Sequence, residues 1–218
     1  MQRSSHSRYL LQGPLVLASH NQGKIAELQA ILPPSLRPLY SIKDLGLPEP
    51  EETGVTFEEN ALIKAKQAAI LSKLPSLADD SGIVIPALDG APGVVSARWA
   101  GEKRDFKVAM HKVYQELGKK GITAITGCPA FFISVLAIAW PDGYHHTFEG
   151  RIDGRLAWPP RGTKGFGYDA MFVPDDCTQT FGEMDPTQKN RISHRAQAFA
   201  KFKEFCLPAS GLINELSH

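Results

Sequence analysis

Two adjacent acids, Asp79-Asp80, followed by Ser81-Gly82, are the residues in this chain best suited to chemistry. Neighbouring carboxylates cannot both be buried without partners, so they need cations, a metal ion or water beside them. A second acidic pair, Glu51-Glu52, precedes Thr53-Gly54. Two acidic positions at loop mouths suit Mg²⁺, which takes a few carboxylates and completes its shell with water and substrate phosphate. A nearby carboxylate that is not a ligand can orient or deprotonate an attacking water.

Other polar clusters could supply the rest of a site. The turn Ser19-His20-Asn21-Gln22-Gly23-Lys24 aims backbone N–H groups and an ammonium at an anion. It lacks the second glycine and the spacing of a Walker A loop. Lys64 and Lys66 follow Glu58-Glu59-Asn60 on a helical stretch. In Gly165-Phe166-Gly167-Tyr168-Asp169, glycines flank aromatic rings, and Phe166 or Tyr168 could stack on a nucleobase. Lys189 is followed by Ser193-His194-Arg195. At about 100° per residue, Lys189 and His194 point to different sides of one straight helix. Their joint use predicts a break near Ser193, with Ser193 capping a new turn. Taken singly, each cluster also reads as ordinary structure: a cap, a turn, a solvated helix face or a glycine-rich hairpin.

The elements that must position these residues are legible from apolar spacing. Leu15 to Ala18 reads as a buried strand running into the polar turn. Ile25, Leu28, Ile31 and Leu32 recur at helical spacing until Pro33-Pro34 stops them. Residues 34–53 read as a strand-poor connection. Phe57 to Leu71 reads as a helix whose Ala61, Ala65, Ala68 and Ala69 form a close-packed face. The acids Asp79-Asp80 follow one strand end, and Ile83-Val84-Ile85 reads as a strand after them. Phe106, Met110, Val113 and Leu117 mark another helix. Phe131 to Trp140 and Tyr144 to Trp158 read as two long strands joined at Pro141-Asp142-Gly143. A strand at Ala170 to Val173 follows, and a last helix opens at Asp185-Pro186, with Asp as cap and Pro in the first turn.

Composition narrows the class. A chain of 218 residues with 43% hydrophobic content can bury a core without disulfides. A net charge of +1 gives no general attraction to nucleic acid or an anionic membrane. Cys128, Cys177 and Cys206 form no metal-binding pair and fit a reducing, cytoplasmic compartment. The longest apolar run is too short to span a bilayer. Residues 1–13 read as a disordered extension, and 14–218 as a single α/β domain with an antiparallel hairpin in its second half.

Order makes the clusters specific. Leu17 to Lys24, Glu51 to Gly54, Phe57 to Lys64-Ala65, Ala78 to Gly82, Gly90 to Gly93 with Ser96-Ala97-Arg98, Gly165 to Asp169, and Ser193 to Arg195 together resemble the inosine triphosphate pyrophosphatase family. The resemblance spans about Leu15 to Phe202. It implies an elongated mixed central sheet flanked by helices, two lobes with an active-site cleft between them, and a homodimer. It implies Mg²⁺-dependent hydrolysis of ITP, dITP and XTP to the monophosphate and pyrophosphate. By motif position, Ser19, His20, Asn21, Gln22, Gly23 and Lys24 would hold the triphosphate. Asp80 would be proton acceptor and metal ligand, Asp80 or Asp79 beside it would orient the attacking water, and Glu51 would be the second metal contact. Lys24 and Lys64 would offset charge on the leaving group. Ser81, Phe166, Gly167, Tyr168, Asp169, Lys189, His194 and Arg195 would hold the substrate. Lys164 and Ala170 depart from a common glycine and proline of the family. Two alternatives stay open: a Maf-like pyrophosphatase for other modified nucleotides, and a nucleotide-binding protein without catalysis.

Overall fold

The computed structural model describes residues 9–207. In chain order the elements are β1 (Leu15–Leu17), α1 (Gln22–Ile31), β2 (Leu39–Ser41), α2 (Phe57–Ser72), β3 (Ser76–Val84), α3 (Phe106–Lys119), β4 (Pro129–Ala139), β5 (His145–Leu156), β6 (Phe172–Pro174), α4 (Pro186–Ile192) and α5 (His194–Cys206). The six strands form one sheet in the order β2-β1-β3-β4-β5-β6. β1 runs parallel to β2 and β3, and the remaining pairs are antiparallel. The sheet is therefore mixed, as the resemblance implied. β2 was not anticipated: three half-buried residues between proline-rich turns carry no periodic signal.

The acids sit inside β3 rather than at a strand end. Asp79, Asp80 and Ser81 stand opposite Leu136, Val135 and Ser134 of β4. The polar triplet interrupts the apolar pattern, so the sequence reads as two strands where the backbone makes one. The pleat then decides what each acid meets, because successive side chains leave a strand on opposite faces. Leu15, Leu17 and Leu77 pack with Leu28 of α1 and Phe202 of α5. Val16 and Ala78 pack with Ala61, Ala65 and Ala68 of α2. Asp79 and Ser81 continue the Leu77 face toward α1 and α5, whereas Asp80 continues the Ala78 face toward α2.

Helix ends carry local signals that match their positions. Thr56 and Glu59 make a reciprocal capping box at the start of α2. Asp185 caps α4 with Pro186 in its first turn. Ser193 ends α4 and caps α5, accepting from Ala196 N. The predicted break is thus present, and it turns His194 and Arg195 away from the direction that one continuous helix would give them.

The backbone of α5 rests directly on β5 at Gly150. A Cβ there would lie 2.0 Å from His194 O and 2.4 Å from Ala198 N, both backbone atoms that cannot move aside alone. Gly150→Ala is expected to destabilise the chain by about 1–3 kcal/mol or more through overpacking. Urea unfolding measures it, and a loss within about 0.5 kcal/mol, the usual range for a harmless surface change, would contradict this seating.

Part of the expected N-terminal extension is packed. Tyr9 stacks on Tyr144 with ring centroids 3.6 Å apart, and Leu11 is buried and donates its N–H to Cys206 O. The rest of that expectation, for residues 1–8, lies outside the described residues.

Candidate active site

One cavity of about 840 Å³ gathers residues from the first turn of α1, the segment before α2, β3, the loop before α3, and the α4–α5 junction. That is ample for a nucleotide. Among the described residues, no helix is long and apolar enough to cross a membrane.

Asp79 is the anchor of the floor. Its side chain is 0% exposed. It accepts from Lys24 Nζ (2.7 Å), from Arg195 Nε (3.0 Å) and Nη2 (3.2 Å), from Ser81 Oγ (2.8 Å) and from Ser134 Oγ (2.6 Å). Burial pushes the carboxyl up, but Arg195 and Lys24 outweigh it and hold Asp79 well below the usual range. Asp79 was offered above as an alternative base. With both oxygens occupied, it has no lone pair aimed at water, and its role is to fix its neighbours.

Asp80 is the opposite case. Oδ1 accepts from Lys64 Nζ at 2.7 Å, and Oδ2 is buried without a hydrogen-bond partner among the described residues. Burial raises its pKa, only partly offset by Lys24 and Lys64. Each native buried polar atom left unpaired calls for an explanation. Here one follows from position, since Asp80 lines the cavity.

Lys64 gives its three N–H groups to Glu52 Oε1 (2.9 Å), Asp79 O (3.0 Å) and Asp80 Oδ1 (2.7 Å). An ammonium has three donors, so none is left for a leaving group. Lys64 therefore positions acids, contrary to the expectation above. Among the described residues, Lys24 bonds only Asp79 Oδ1 and, at 3.3 Å, Asp79 O, which leaves one donor free.

The acidic pair resolves to Glu52. Glu51 is exposed and does not line the cavity, whereas Glu52 does and reaches Lys64. Glu51 as a metal contact is corrected accordingly: consecutive residues of an extended segment point apart, and only one of the two can face inward.

The opening turn divides by role. Asn21 caps α1, accepting from Lys24 N, while Ser19 Oγ accepts from Asn21 N. Ser19, Asn21 and Lys24 line the cavity; His20, Gln22 and Gly23 do not. His20 pairs with Glu49. Gly23 serves sterically, since a Cβ there would come within 2.7 Å of the Phe166 ring.

At the far end, Lys189 Nζ is bound by Glu27 (2.7 Å) and Asp169 (2.5 Å), and Arg195 by Asp79, Glu27 and Ser81. Arg195 is thus largely engaged internally, whereas Lys189, with two of its three N–H groups used, lines the cavity with one to spare among the described residues. Asp169 also accepts from Phe166 N, which fixes the glycine-rich loop. Tyr168 is buried and donates to Ser96 O, which removes it as a stacking surface. Gly167 lines the wall beside it. Phe166 lines the cavity and is only half-buried, with Lys189 Nζ 5.1 Å from its ring centre. His194 stacks on Phe132 at 4.8 Å, and its Nδ1 has no partner among the described residues. Burial, then Arg195 and Lys189, hold its pKa well below 6.5, so it is neutral.

Sequence reasoning missed Glu27 and Ser134, and it gave Arg98 no role beyond a matching motif. Glu27 lies three residues after Lys24, so helical spacing alone places both on one face. Ser134 is the single hydroxyl in an apolar strand, opposite Ser81. Arg98 lines the cavity and donates to Glu52 O at 3.0 Å.

Among the described residues, no cluster of three or more His, Cys, Asp or Glu side chains could hold a metal alone. A Mg²⁺ shared with phosphates needs only one or two carboxylates. The buried, unpartnered Oδ2 of Asp80, with Glu52 nearby on the other side of Lys64, fits that requirement.

Comparison with known proteins agrees in extent and in fold. The Ham1 family profile matches residues 15–205. A Bradyrhizobium diazoefficiens protein named dITP/XTP pyrophosphatase is 52% identical over 90% of this chain and 97% of its own length. A Caulobacter vibrioides protein of the same name is 54% identical over 87% and 95%. Among solved structures, a HAM1 protein from Coxiella burnetii superposes with a TM-score of 0.78 at 39% identity, covering 88% of this chain and 96% of that one. The Staphylococcus aureus Ham1 protein gives 0.77 at 36%, covering 88% and 97%. With the sheet, the acid-bearing strand and the α4–α5 break all in place, the chain belongs to the Ham1 family.

Proposed function

We propose that this chain hydrolyses noncanonical purine nucleoside triphosphates (dITP, ITP and XTP) to the nucleoside monophosphate and pyrophosphate. The observation that carries the reading is Asp80: one oxygen locked by Lys64, the other buried in the cavity wall and unpartnered. The names of the relatives supply the substrate class.

Asp80 Oδ2 orients a water and accepts its proton as the oxygen attacks the α-phosphorus. The bond to the bridging oxygen breaks, and pyrophosphate leaves. Lys64 holds Asp80 and Glu52 in one pose, and Lys24 directs its spare N–H at the polyphosphate. The N-terminus of α1, opening beside Ser19 and Asn21, adds a positive dipole end. Asp80 and Glu52 would hold Mg²⁺, which when bound supplies charge neutralisation to the phosphates. At the base end, Phe166 offers a ring face. Neutral His194, with Nδ1 lacking a partner among the described residues, can present a donor or an acceptor to the base according to its tautomer. A homodimer belongs to the reading through the family resemblance alone, and a cytoplasmic location through the cysteine spacing alone.

A panel of triphosphates with Mg²⁺ tests it. Pyrophosphate release from dITP, ITP and XTP should exceed that from ATP by orders of magnitude, because unpaired buried groups reject a mismatched base strongly. Equal rates on ATP, or a preference for dTTP or UTP, would overturn the substrate assignment. No release from any member would favour the nucleotide-binding reading without catalysis.

A further inference from the structure

The segment that carries Glu52 is laced to the first turns of α2 at nearly every residue. Glu59 Oε2 accepts from Val55 N (2.7 Å) and Thr56 N (3.0 Å). Asn60 Oδ1 accepts from Gly54 N at 2.8 Å. One turn further along the helix, Lys64 holds the Glu52 carboxylate itself. Asn60 and Lys64 are four residues apart and therefore neighbours on one face of α2. Together they grip the short arm Glu52-Thr53-Gly54 at both ends.

Asn60 is fully buried, yet its Nδ2 has no partner among the described residues. A buried unsatisfied donor costs about 1–3 kcal/mol. An apolar residue would avoid that penalty, so the position is kept polar for Oδ1. The approach is also close: a Cβ on Gly54 would come within 2.7 Å of Asn60 Oδ1 and 2.6 Å of Glu59 Cβ. Glu52 is 35% exposed and, among the described residues, otherwise bound only at one oxygen and, through Arg98, at its backbone carbonyl. Without the Gly54 bond, the arm could pivot and carry its carboxylate out of the cavity.

We infer that Asn60 is a positioning residue that fixes the pose of the Glu52 carboxylate for divalent-cation binding. The inference rests on the reading of Glu52 and Asp80 as cation ligands. Partners that orient metal ligands typically change affinity by about 10–100-fold when removed.

The test is a Mn²⁺ titration of the full chain without nucleotide, read from the paramagnetic signal of free Mn²⁺, with thermal unfolding alongside. Asn60→Ala should weaken Mn²⁺ on the order of 10-fold or more. Asn60→Asp should stay within about 3-fold of wild type, since it keeps the acceptor and an anion is tolerated near a helix N-terminus. A purely structural role would lower the unfolding temperature and leave the folded protein's affinity unchanged. Wild-type affinity in Asn60→Ala, with weakened binding in Glu52→Gln, would overturn the inference and leave the Glu52 reading standing. Wild-type affinity in both would overturn both. If Asn60→Ala does not fold, Gly54→Ala decides. Its Cβ would crowd Glu59 and Asn60 and push the same arm off α2, and it should weaken Mn²⁺ similarly; unchanged affinity there would sink the inference.

Discussion

Asp80→Asn should lower kcat on the order of 10²–10⁴-fold, the usual worth of a positioned general base, while nucleotide affinity stays within a few fold. Asparagine has the same shape and can still accept from Lys64, whose charge remains balanced by Glu52. What disappears is the negative charge of a cavity-lining carboxylate whose Oδ2 is buried without a partner among the described residues. Single-turnover kinetics with dITP, together with a direct binding measurement, separate the two quantities. A kcat near wild type would remove Asp80 from the chemistry. Unchanged kcat with lost binding would make it a substrate-holding group instead.

The second large effect concerns stability. Arg195 is 2% exposed and joins Asp79 on β3 to Glu27 on α1, while Lys189 joins the same Glu27 to Asp169. Arg195→Leu would strip the fully buried Asp79 of two bonds and leave part of Glu27 unpaired. Breaking one side of a buried pair costs about 3–5 kcal/mol. For a domain of this size that is a fall of about 6–20 °C in Tm. Glu27→Gln should cost less, because each cation keeps a second carboxylate. Urea and thermal unfolding rank the two. A loss under about 1 kcal/mol for Arg195→Leu, or a larger one for Glu27→Gln, would contradict the network as described.

These effects trace to residues that the sequence exposed unevenly. Helices were legible because apolar spacing and caps agree: Asp185-Pro186 opens α4, and Thr56 with Glu59 opens α2. The break at Ser193 was legible because one straight helix would point Lys189 and His194 to different sides. The twin acids were recognised as chemistry, but their division of labour was not. That division depends on the pleat, which sends Asp79 toward Lys24 and Arg195 and Asp80 toward Lys64. Glu51 and Glu52 could not be told apart, because the arm that carries them has no period of its own. The ion pairs of Lys189 and Arg195 could not be read, because their shared acceptor, Glu27, lies more than 160 residues earlier in the chain.

The central claim is attack by water on the α-phosphorus, and hydrolysis of dITP in heavy-oxygen water addresses it directly. The label should appear in the monophosphate, with unlabelled pyrophosphate as the first-formed partner. Label in the pyrophosphate, or orthophosphate as the primary product, would place the attack at another phosphorus and contradict the account.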